Sequence, residues 1–308
     1  MSTFGDRHDL SESMGAFESA LVKKQVQIRL PELKRVLVAI DRSNQERTAV
    51  RLAAGLAKRL DARIGVIYAN EQAGERELSY AKMIAGELCA APLKCESEAI
   101  QTSGPLPSHQ ILAAQERFKA DLIIAPAPYL RDVGLLGDES LGSVADMLMA
   151  ETPVPLLFVR HPVDDVEALF QRSLLAMTVH VEEAELAAGW AFRLLDKGGE
   201  ISVQAVADAA LMGEAARLLG TSDAQDVLER AEMREVGPLV AAIQKYAVDH
   251  DLQAHVDVKV GNPVELAATA ANDGGRLVFM GAPSDRTHVA YHRVQDILLR
   301  SKNPVLVT

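Results

Sequence analysis

The sequence predicts an α/β protein of two tandem domains, each a doubly wound, Rossmann-like, five-stranded parallel sheet with strand order 3-2-1-4-5. The first observation is a repeat: LAAGLAKRL at 52–60 returns as LAAGWAFRL at 186–194. Other landmarks recur in the same order, among them the proline-led segments TPVPLLFVR (152–160) and NPVLVT (303–308). The second is that short runs of Val, Ile and Leu alternate with helix-period segments, which is typical of strands covered on both faces by helices. A repeat of roughly 140 residues indicates a duplicated domain rather than a solenoid.

The landmarks divide the chain into four parts. They are an N-terminal extension (1–33), a first domain that we call unit one (34–160), a linker (161–171) and a second domain that we call unit two (172–308). A length of 308 residues agrees with two domains. One continuous sheet through both units would speak against this division.

Each element follows from the local pattern. In unit one, strands are predicted at 35–41, 62–69, 93–100, 121–127 and 155–160, and helices near 45–60, 74–90, 107–119 and 140–151. Unit two has a longer helical stretch, about 210–249, between its second and third strands. In the extension, Met14, Phe17 and Leu21 fall at helical spacing, which favours a docking helix or a frayed extension.

The predicted strand order leaves the fifth strand of each unit at a sheet edge, as VPLLFV (154–159) and PVLVT (304–308). An uncharged edge strand pairs readily with another strand unless it is covered. We therefore expect residues 154–159 to contact residues 303–308 of the same chain. The result would be a pseudo-twofold arrangement, in a monomer with paired domains or in a homodimer.

Composition narrows the function classes. Of the net charge of −11, −9 lies in residues 163–308, which opposes binding to nucleic acid or to anionic membranes. The sequence shows no apolar leader and no membrane-length apolar run, and two cysteines are too few for a disulfide framework. We expect a cytoplasmic protein without nucleic-acid or membrane partners.

A ligand site is predicted where the strand order reverses, beyond the carboxyl ends of the first and fourth strands of unit one. The loops at 41–44 and 125–144 meet there. Glycine amides and a helix start in the second loop could hold an anion, although a flexible loop with an ordinary helix cap explains the same residues. The candidate ligand-binding residues are Asp41, Arg42, Ser43, Gly134, Gly137, Gly142, Ser143 and Val144.

With VLVAID (36–41) at the first strand, Gly142-Ser143 before the last helix and PVPLLFV (153–159) at the end, unit one resembles the universal stress protein family. The arrangement of both units is similar to its tandem two-domain members. The resemblance implies binding of ATP or another adenine nucleotide. In the family, an Asp ending the first strand and a loop of pattern G-x2-G-x9-G-[ST] carry it. Asp41 matches that Asp, and Gly142 and Ser143 match the end of the loop.

The match to the loop pattern is incomplete in unit one. Counting back from Gly142, the two earlier glycines fall on Tyr129 and Asp132. The sequence instead has Gly134 and Gly137 at a different spacing. By the resemblance, contacts to the phosphates differ from the family pattern here.

Unit two departs further. Thr178 or Val179 stands where the Asp would be, and Ser284 stands at the second glycine. By counting from Gly281, the Gly-Ser pair is replaced by Val294 and Gln295. A β-branched residue cannot give the close backbone approach that glycine allows, so we expect the second site to be degenerate.

No catalytic or metal site is predicted. The chain has no nucleophile elbow, no Walker loop and no G-x-G-x-x-G fingerprint. His288 and His292, with Asp285 nearby, have metal-ligand spacing but no accompanying ligand cluster.

Three hypotheses remain. The first is a stress-response regulator that senses an adenine nucleotide through unit one and signals to a protein partner. The second is an interaction scaffold of the same fold that binds no nucleotide. The third is a slow ATPase, for which Asp41, Asp138 and Glu139 are the candidate carboxylates of unit one.

Overall fold

The computed structural model describes residues 26–71, 74–90, 92–132, 140–177, 181–210, 224–283 and 285–308. The helix predicted around Met14, Phe17 and Leu21 lies outside these residues. So does the first part of the stretch predicted at 210–249.

Unit one contains the predicted alternation of strands and helices. Its elements are β1 (Arg35–Ile40), α1 (Glu46–Leu60), β2 (Arg63–Tyr68), α2 (Glu75–Cys89), β3 (Ser97–Ala99), α3 (Pro107–Phe118), β4 (Leu122–Pro126), α4 (Ser143–Glu151) and β5 (Leu156–Val159). Strand β3 is shorter than predicted because Lys94 adopts a left-handed conformation with φ of 52°, which an extended strand cannot contain.

Unit two repeats this order after a short 3-10 helix (Glu167–Gln171). Its elements are β6 (Arg172–Met177), α5 (Val181–Leu194), β7 (Glu200–Asp208), α6 (Ala224–Asp249), β8 (Gln253–Gly261), α7 (Pro263–Ala271), β9 (Leu277–Met280), α8 (Val289–Arg300) and β10 (Val305–Val307). Helix α6 is long although it contains Pro238.

All ten strands join in one sheet of order β3-β2-β1-β4-β5-β10-β9-β6-β7-β8. Each half has the predicted order 3-2-1-4-5, and the predicted edge contact is confirmed because β5 and β10 pair antiparallel. Leu157 lies opposite Leu306, as expected for equivalent residues beside a pseudo-twofold axis. The criterion that a continuous sheet would exclude tandem domains is therefore wrong, since the edge pairing itself joins the two sheets.

Helices cover both faces of the sheet. Along β1, Val36, Val38 and Ile40 belong to one buried cluster, whereas Leu37 and Ala39 belong to the other, as the two-residue period of a strand requires. The first cluster includes residues of α1, α2, α5 and α6. The second includes residues of α3, α4, α7 and α8. Because β5 and β10 pair antiparallel, the strands of the two units run in opposite directions, and their carboxyl ends lie at opposite ends of the sheet.

The repeated nonapeptide carries a glycine for the same reason in both copies. A Cβ atom placed on Gly55 would lie 2.8 Å from the ring of Phe170, in the linker. One placed on Gly189 would lie 2.3 Å from the carbonyl oxygen of Arg29, in the segment before unit one. The segment that precedes each unit thus crosses the first helix of the other unit, and only glycine permits so close an approach.

Arg59 fixes the linker crossing. Its guanidinium lies 3.9 Å from the centroid of the Phe170 ring. It also bonds Asp196 Oδ1 at 2.7 Å and Glu167 Oε2 at 2.7 Å. Since Arg59 belongs to unit one and Asp196 to unit two, this network joins the two units in addition to the sheet.

Candidate functional site

The first loop of the predicted site follows β1 and is built around Asp41. Its side chain is 4% exposed. Oδ1 accepts hydrogen bonds from Ser43 N at 3.0 Å and Ser43 Oγ at 2.6 Å, and Oδ2 accepts from Leu130 N at 2.6 Å. Burial raises the pKa of Asp41 to about 6, and the hydrogen bonds from Ser43 and Leu130 oppose this rise. The carboxylate is occupied by groups of its own chain.

Glu46, in the first turn of α1, holds the turn between Asp41 and the helix. Its Oε2 accepts from Asp41 N at 2.7 Å and from Arg42 N at 2.5 Å, and its Oε1 accepts from the Tyr80 hydroxyl at 2.5 Å. Arg42 has a left-handed φ of 62°, and its guanidinium stacks 4.3 Å from the centroid of the Tyr80 ring. Hydrogen bonds to Glu46 therefore fix the conformation of this loop. The guanidinium of Arg42 packs against the rings of Tyr68 and Tyr80.

The second loop begins with Tyr129, which reaches under the ends of the first two strands. Its hydroxyl donates to Ile40 O at 2.7 Å and accepts from Ala69 N at 3.0 Å. The side chain is 6% exposed, and burial raises the pKa of Tyr129 well above its ordinary value. One hydroxyl thus satisfies two backbone groups where β1 and β2 end.

The three residues after Tyr129 are also bonded to the first loop. The contacts are Leu130 N to Asp41 Oδ2 at 2.6 Å, Gln45 Nε2 to Arg131 O at 3.2 Å, and Asn44 N to Asp132 Oδ1 at 2.7 Å. Residues 130–132 therefore tie the two loops together, and Tyr129 ties the second loop to the ends of β1 and β2. We call the space beyond these strand ends, which the contacts fill, the closed crevice.

A cleft of about 420 Å³ lies on the α3 and α4 side of residues 129–132. Both helices begin at this cleft, and neither has a side-chain cap, so their first amides lack the intrahelical partners that later turns have. Gly142, before α4, has φ of +83°, which favours glycine. The lining residues are Glu71, Leu106, Pro107, Ser108, Pro128, Tyr129, Leu130, Arg131, Ser140, Gly142, Ser143, Val144 and Met147.

The predicted site residues are divided between these two places. Gly142, Ser143 and Val144 line the cleft. Residues 41–43 lie in the closed crevice and are not part of the cleft lining. Gly134 and Gly137 lie outside the described residues.

The other ten lining residues are not among the predicted site residues. Leu106, Pro107 and Ser108 could have been found, because GPLPS places a proline at the first position of a helix, where helix starts commonly have one. Tyr129 and Arg131 carry no comparable local signal.

Comparison with known proteins gives the family. A profile described as the Universal stress protein family matches residues 32–160. A relative from Thermus aquaticus, the universal stress protein in QAH/OAS sulfhydrylase 3'region, is 31% identical over an alignment of 139 residues that covers 41% of this chain and 98% of the relative. The chain belongs to the universal stress protein family.

Two solved structures share the fold with this universal stress protein over most of its length. One is a universal stress protein from Archaeoglobus fulgidus DSM 4304, with a TM-score of 0.58, 18% identity, and coverage of 89% of this chain and 95% of that chain. The other is a functionally unknown protein from Pseudomonas aeruginosa PAO1, with a TM-score of 0.59, 14% identity, and coverage of 89% and 92%.

The second half of this universal stress protein has a different switch point. A Cβ atom placed on Gly281, just after β9, would lie 2.5 Å from Cβ and 2.6 Å from the carbonyl carbon of Glu183 in α5. The first turn of α5 therefore packs directly on the end of β9. Thr178, Val179 and Ser284, which we expected to mark a degenerate site, lie outside the described residues.

Helix α8 also corrects one prediction. Val294 and Gln295, expected at the position of the Gly-Ser pair, lie inside α8 instead of at its start. The residue before the helix is His288, whose side chain accepts from Ala290 N at 3.2 Å. The position predicted by counting from Gly281 was wrong because α8 has 12 residues, whereas α4 has nine. The start of α8 is therefore closer to β9 in the sequence.

Neither a metal-binding cluster nor a membrane-spanning helix occurs among the described residues. In that part of the chain, no group of three or more His, Cys, Asp or Glu side chains could hold a metal ion. No described helix is both long and apolar enough to cross a membrane.

Proposed function

We propose that this universal stress protein is a stress-response regulator whose unit one binds an adenine nucleotide and signals its presence to a protein partner. Family membership supports the role in stress response. The cleft beside α3 and α4 supports a ligand in unit one, and the packing of α5 on β9 supports restricting that ligand to unit one.

The convergence of two uncapped helix starts on one cleft carries the proposal. Free amides and the helix dipoles make each start partly positive. Arg131 contributes a full positive charge to the lining, and Ser143 contributes a hydroxyl. The volume of about 420 Å³ lies in the usual range of small-molecule sites. In this proposal the phosphates bind between the two helix starts.

We propose binding without appreciable hydrolysis. Of the three carboxylates considered for a slow ATPase, Asp138 and Glu139 lie outside the described residues. Asp41 is buried and accepts three hydrogen bonds from its own chain, so it does not face the cleft as a base for water.

Calorimetry with ATP, ADP and AMP tests the proposal. Gly142→Val should weaken ATP binding at least about tenfold, because a β-branched residue at φ of +83° is strained and displaces the amides at the start of α4. The matched control is Gly198→Val. Gly198 also has a positive φ, +76°, but nothing lies within 4 Å of a Cβ atom placed on it, and it is remote from the cleft lining. The control should bind ATP as the wild type does.

The closed crevice favours one alternative, a scaffold that binds no nucleotide. Asp41 and Tyr129 have their hydrogen bonds satisfied within the chain, so they need no ligand. No heat of binding at millimolar ATP, together with an unchanged melting temperature in ATP, would support the scaffold, because a ligand that binds only the folded state raises the melting temperature.

A further inference from the structure

The crevice between the ends of β1 and β2 is filled by a side chain. In an open α/β sheet, ligands ordinarily bind beyond the carboxyl ends of the strands at the switch point, which in unit one lies between β1 and β4. Tyr129 follows β4 and reaches across this point to the ends of β1 and β2. Here the ring of Tyr129 belongs to the buried cluster under α3 and α4, and its hydroxyl sits between Ile40 O and Ala69 N.

The hydroxyl performs two hydrogen-bonding roles at once. It accepts from the amide of Ala69 and donates to the carbonyl of Ile40. A ligand that replaced it would need an acceptor and a donor side by side, which the edge of an adenine base provides. While Tyr129 is in place, neither backbone group is available to a base.

The loop that carries Tyr129 is held from both sides. Leu130, in a left-handed conformation with φ of 63°, donates to the Asp41 carboxylate, and Arg131 and Asp132 are bonded to Gln45 and Asn44. Moving Tyr129 out of the crevice would therefore break several bonds together. The side chain acts as a fixed part of the wall.

We propose that Tyr129 sets the ligand specificity of unit one by occupying the place of a base, so that the cleft recognises a phosphate chain and not the base attached to it. This inference rests on the proposed function for the phosphate site, and in it the adenine nucleotide is held through its phosphates and not through its base. It assigns Asp41 to positioning residues 129–132 and not to contact with ligand.

The test compares ATP, GTP and inorganic tripolyphosphate by calorimetry. For the wild type, the three affinities should agree within about threefold, because a base that makes no hydrogen bonds adds little discrimination. In Tyr129→Ala, the aromatic ring is gone and the Ala69 amide and Ile40 carbonyl are free. ATP affinity should then rise at least about tenfold over the wild type, with tripolyphosphate unchanged.

Tyr129→Phe is the matched control. It removes the hydroxyl but keeps the ring in the crevice, so it should bind the three ligands as the wild type does. A wild type that prefers ATP over GTP or tripolyphosphate by tenfold or more would overturn the proposal, whether or not Tyr129→Ala folds.

Failure of the proposed function gives a different result. If the wild type binds none of the three ligands, the phosphate site is wrong. Gain of ATP binding by Tyr129→Ala alone would then still support Tyr129 as the occupant of the crevice, and no gain in a variant that keeps the wild-type circular dichroism would contradict it.

Discussion

The two switch points of the molecule are closed by different means. In unit one, five residues (41–45) separate β1 from α1, and the space beyond the strands is filled by the side chain of Tyr129. In unit two, three residues (178–180) separate β6 from α5, and the first turn of α5 lies on the end of β9. A crevice closed by a side chain can be opened by one substitution, whereas one closed by backbone cannot.

The two units contribute equivalent contacts to the surface between them, although their switch points differ. Strands β5 and β10 pair through equivalent residues, and each preceding segment crosses the other unit at a repeated glycine. These contacts do not use the switch points. Unit two can therefore keep its structural role with a closed crevice, which agrees with the proposal that the ligand binds to unit one.

The largest effect is expected from deleting residues 303–308. The deletion removes Val305 and Leu306, both fully buried, and exposes the edge of β5. Losing each such side chain costs about 2 to 5 kcal/mol, and typical stabilities are about 5 to 15 kcal/mol. We expect loss of cooperative unfolding and aggregation, measured by thermal melts and light scattering.

The control for this deletion is Lys302→Ala, at an exposed position beside β10, which should melt within about 2 °C of the wild type. A truncated protein that stays soluble with an unchanged melting temperature would show that unit one does not depend on the β5–β10 pairing.

Much of the fold could be predicted because buried strands and amphipathic helices leave local patterns. The runs at β1, β2 and β4, the repeat and the proline-led β5 and β10 gave element order, strand order and the edge contact. Fewer of the site residues than of the fold elements could be predicted. The closure of the site depends on hydrogen bonds between residues that are far apart in the sequence. Tyr129 bonds residues 89 and 60 positions away.

The glycines show the same limit. A glycine at both 55 and 189 signals that the position matters, but the groups that approach it, Phe170 and Arg29, lie in segments whose path the sequence does not specify. The contact between Gly281 and Glu183 could not be predicted either. The sequence between β6 and α5 does not specify the distance between helix α5 and the sheet.

Gly281→Ala tests the backbone closure of unit two. The added methyl group would lie within 2.6 Å of three atoms of Glu183, two of them backbone, so α5 must shift. We expect a loss of about 3 kcal/mol in the free energy of unfolding, measured in urea, with no effect on ATP binding by unit one.

Gly86→Ala provides the comparison for that substitution. Gly86 lies in α2 with nothing within 4 Å of an added Cβ, and alanine favours a helix by about 1 kcal/mol over glycine. The two substitutions should therefore have opposite signs. If both substitutions changed the free energy of unfolding by equally small amounts, α5 would be able to shift at little cost. The closure of unit two would then be no more rigid than that of unit one.

An effect smaller than that of the deletion is expected in the pH dependence that Asp41 gives to unit one. Its pKa is about 6 in the folded protein, chiefly because of burial, and about 3.9 in an unfolded chain. Between these values the folded state binds more protons, so the free energy of unfolding falls as pH rises. The contribution is complete below pH about 4 and lost above pH about 6. A shift of about two units corresponds to about 3 kcal/mol at most.

Urea denaturation of the wild type and Asp41→Asn at pH steps from 4 to 7 isolates this term, because the other titrating groups cancel in the difference. The wild type should lose stability relative to Asp41→Asn by about 2 to 3 kcal/mol over that range. Ser43→Ala removes the hydroxyl that donates to the ionised carboxylate and favours it, so its pH transition should move higher. If the wild type instead gains stability relative to Asp41→Asn as pH rises, the bonds from Ser43 and Leu130 outweigh burial. The ionised carboxylate of Asp41 would then hold residues 129–132 across the crevice of unit one. The closure of unit two, by packing of α5 on Gly281, involves no such charged group.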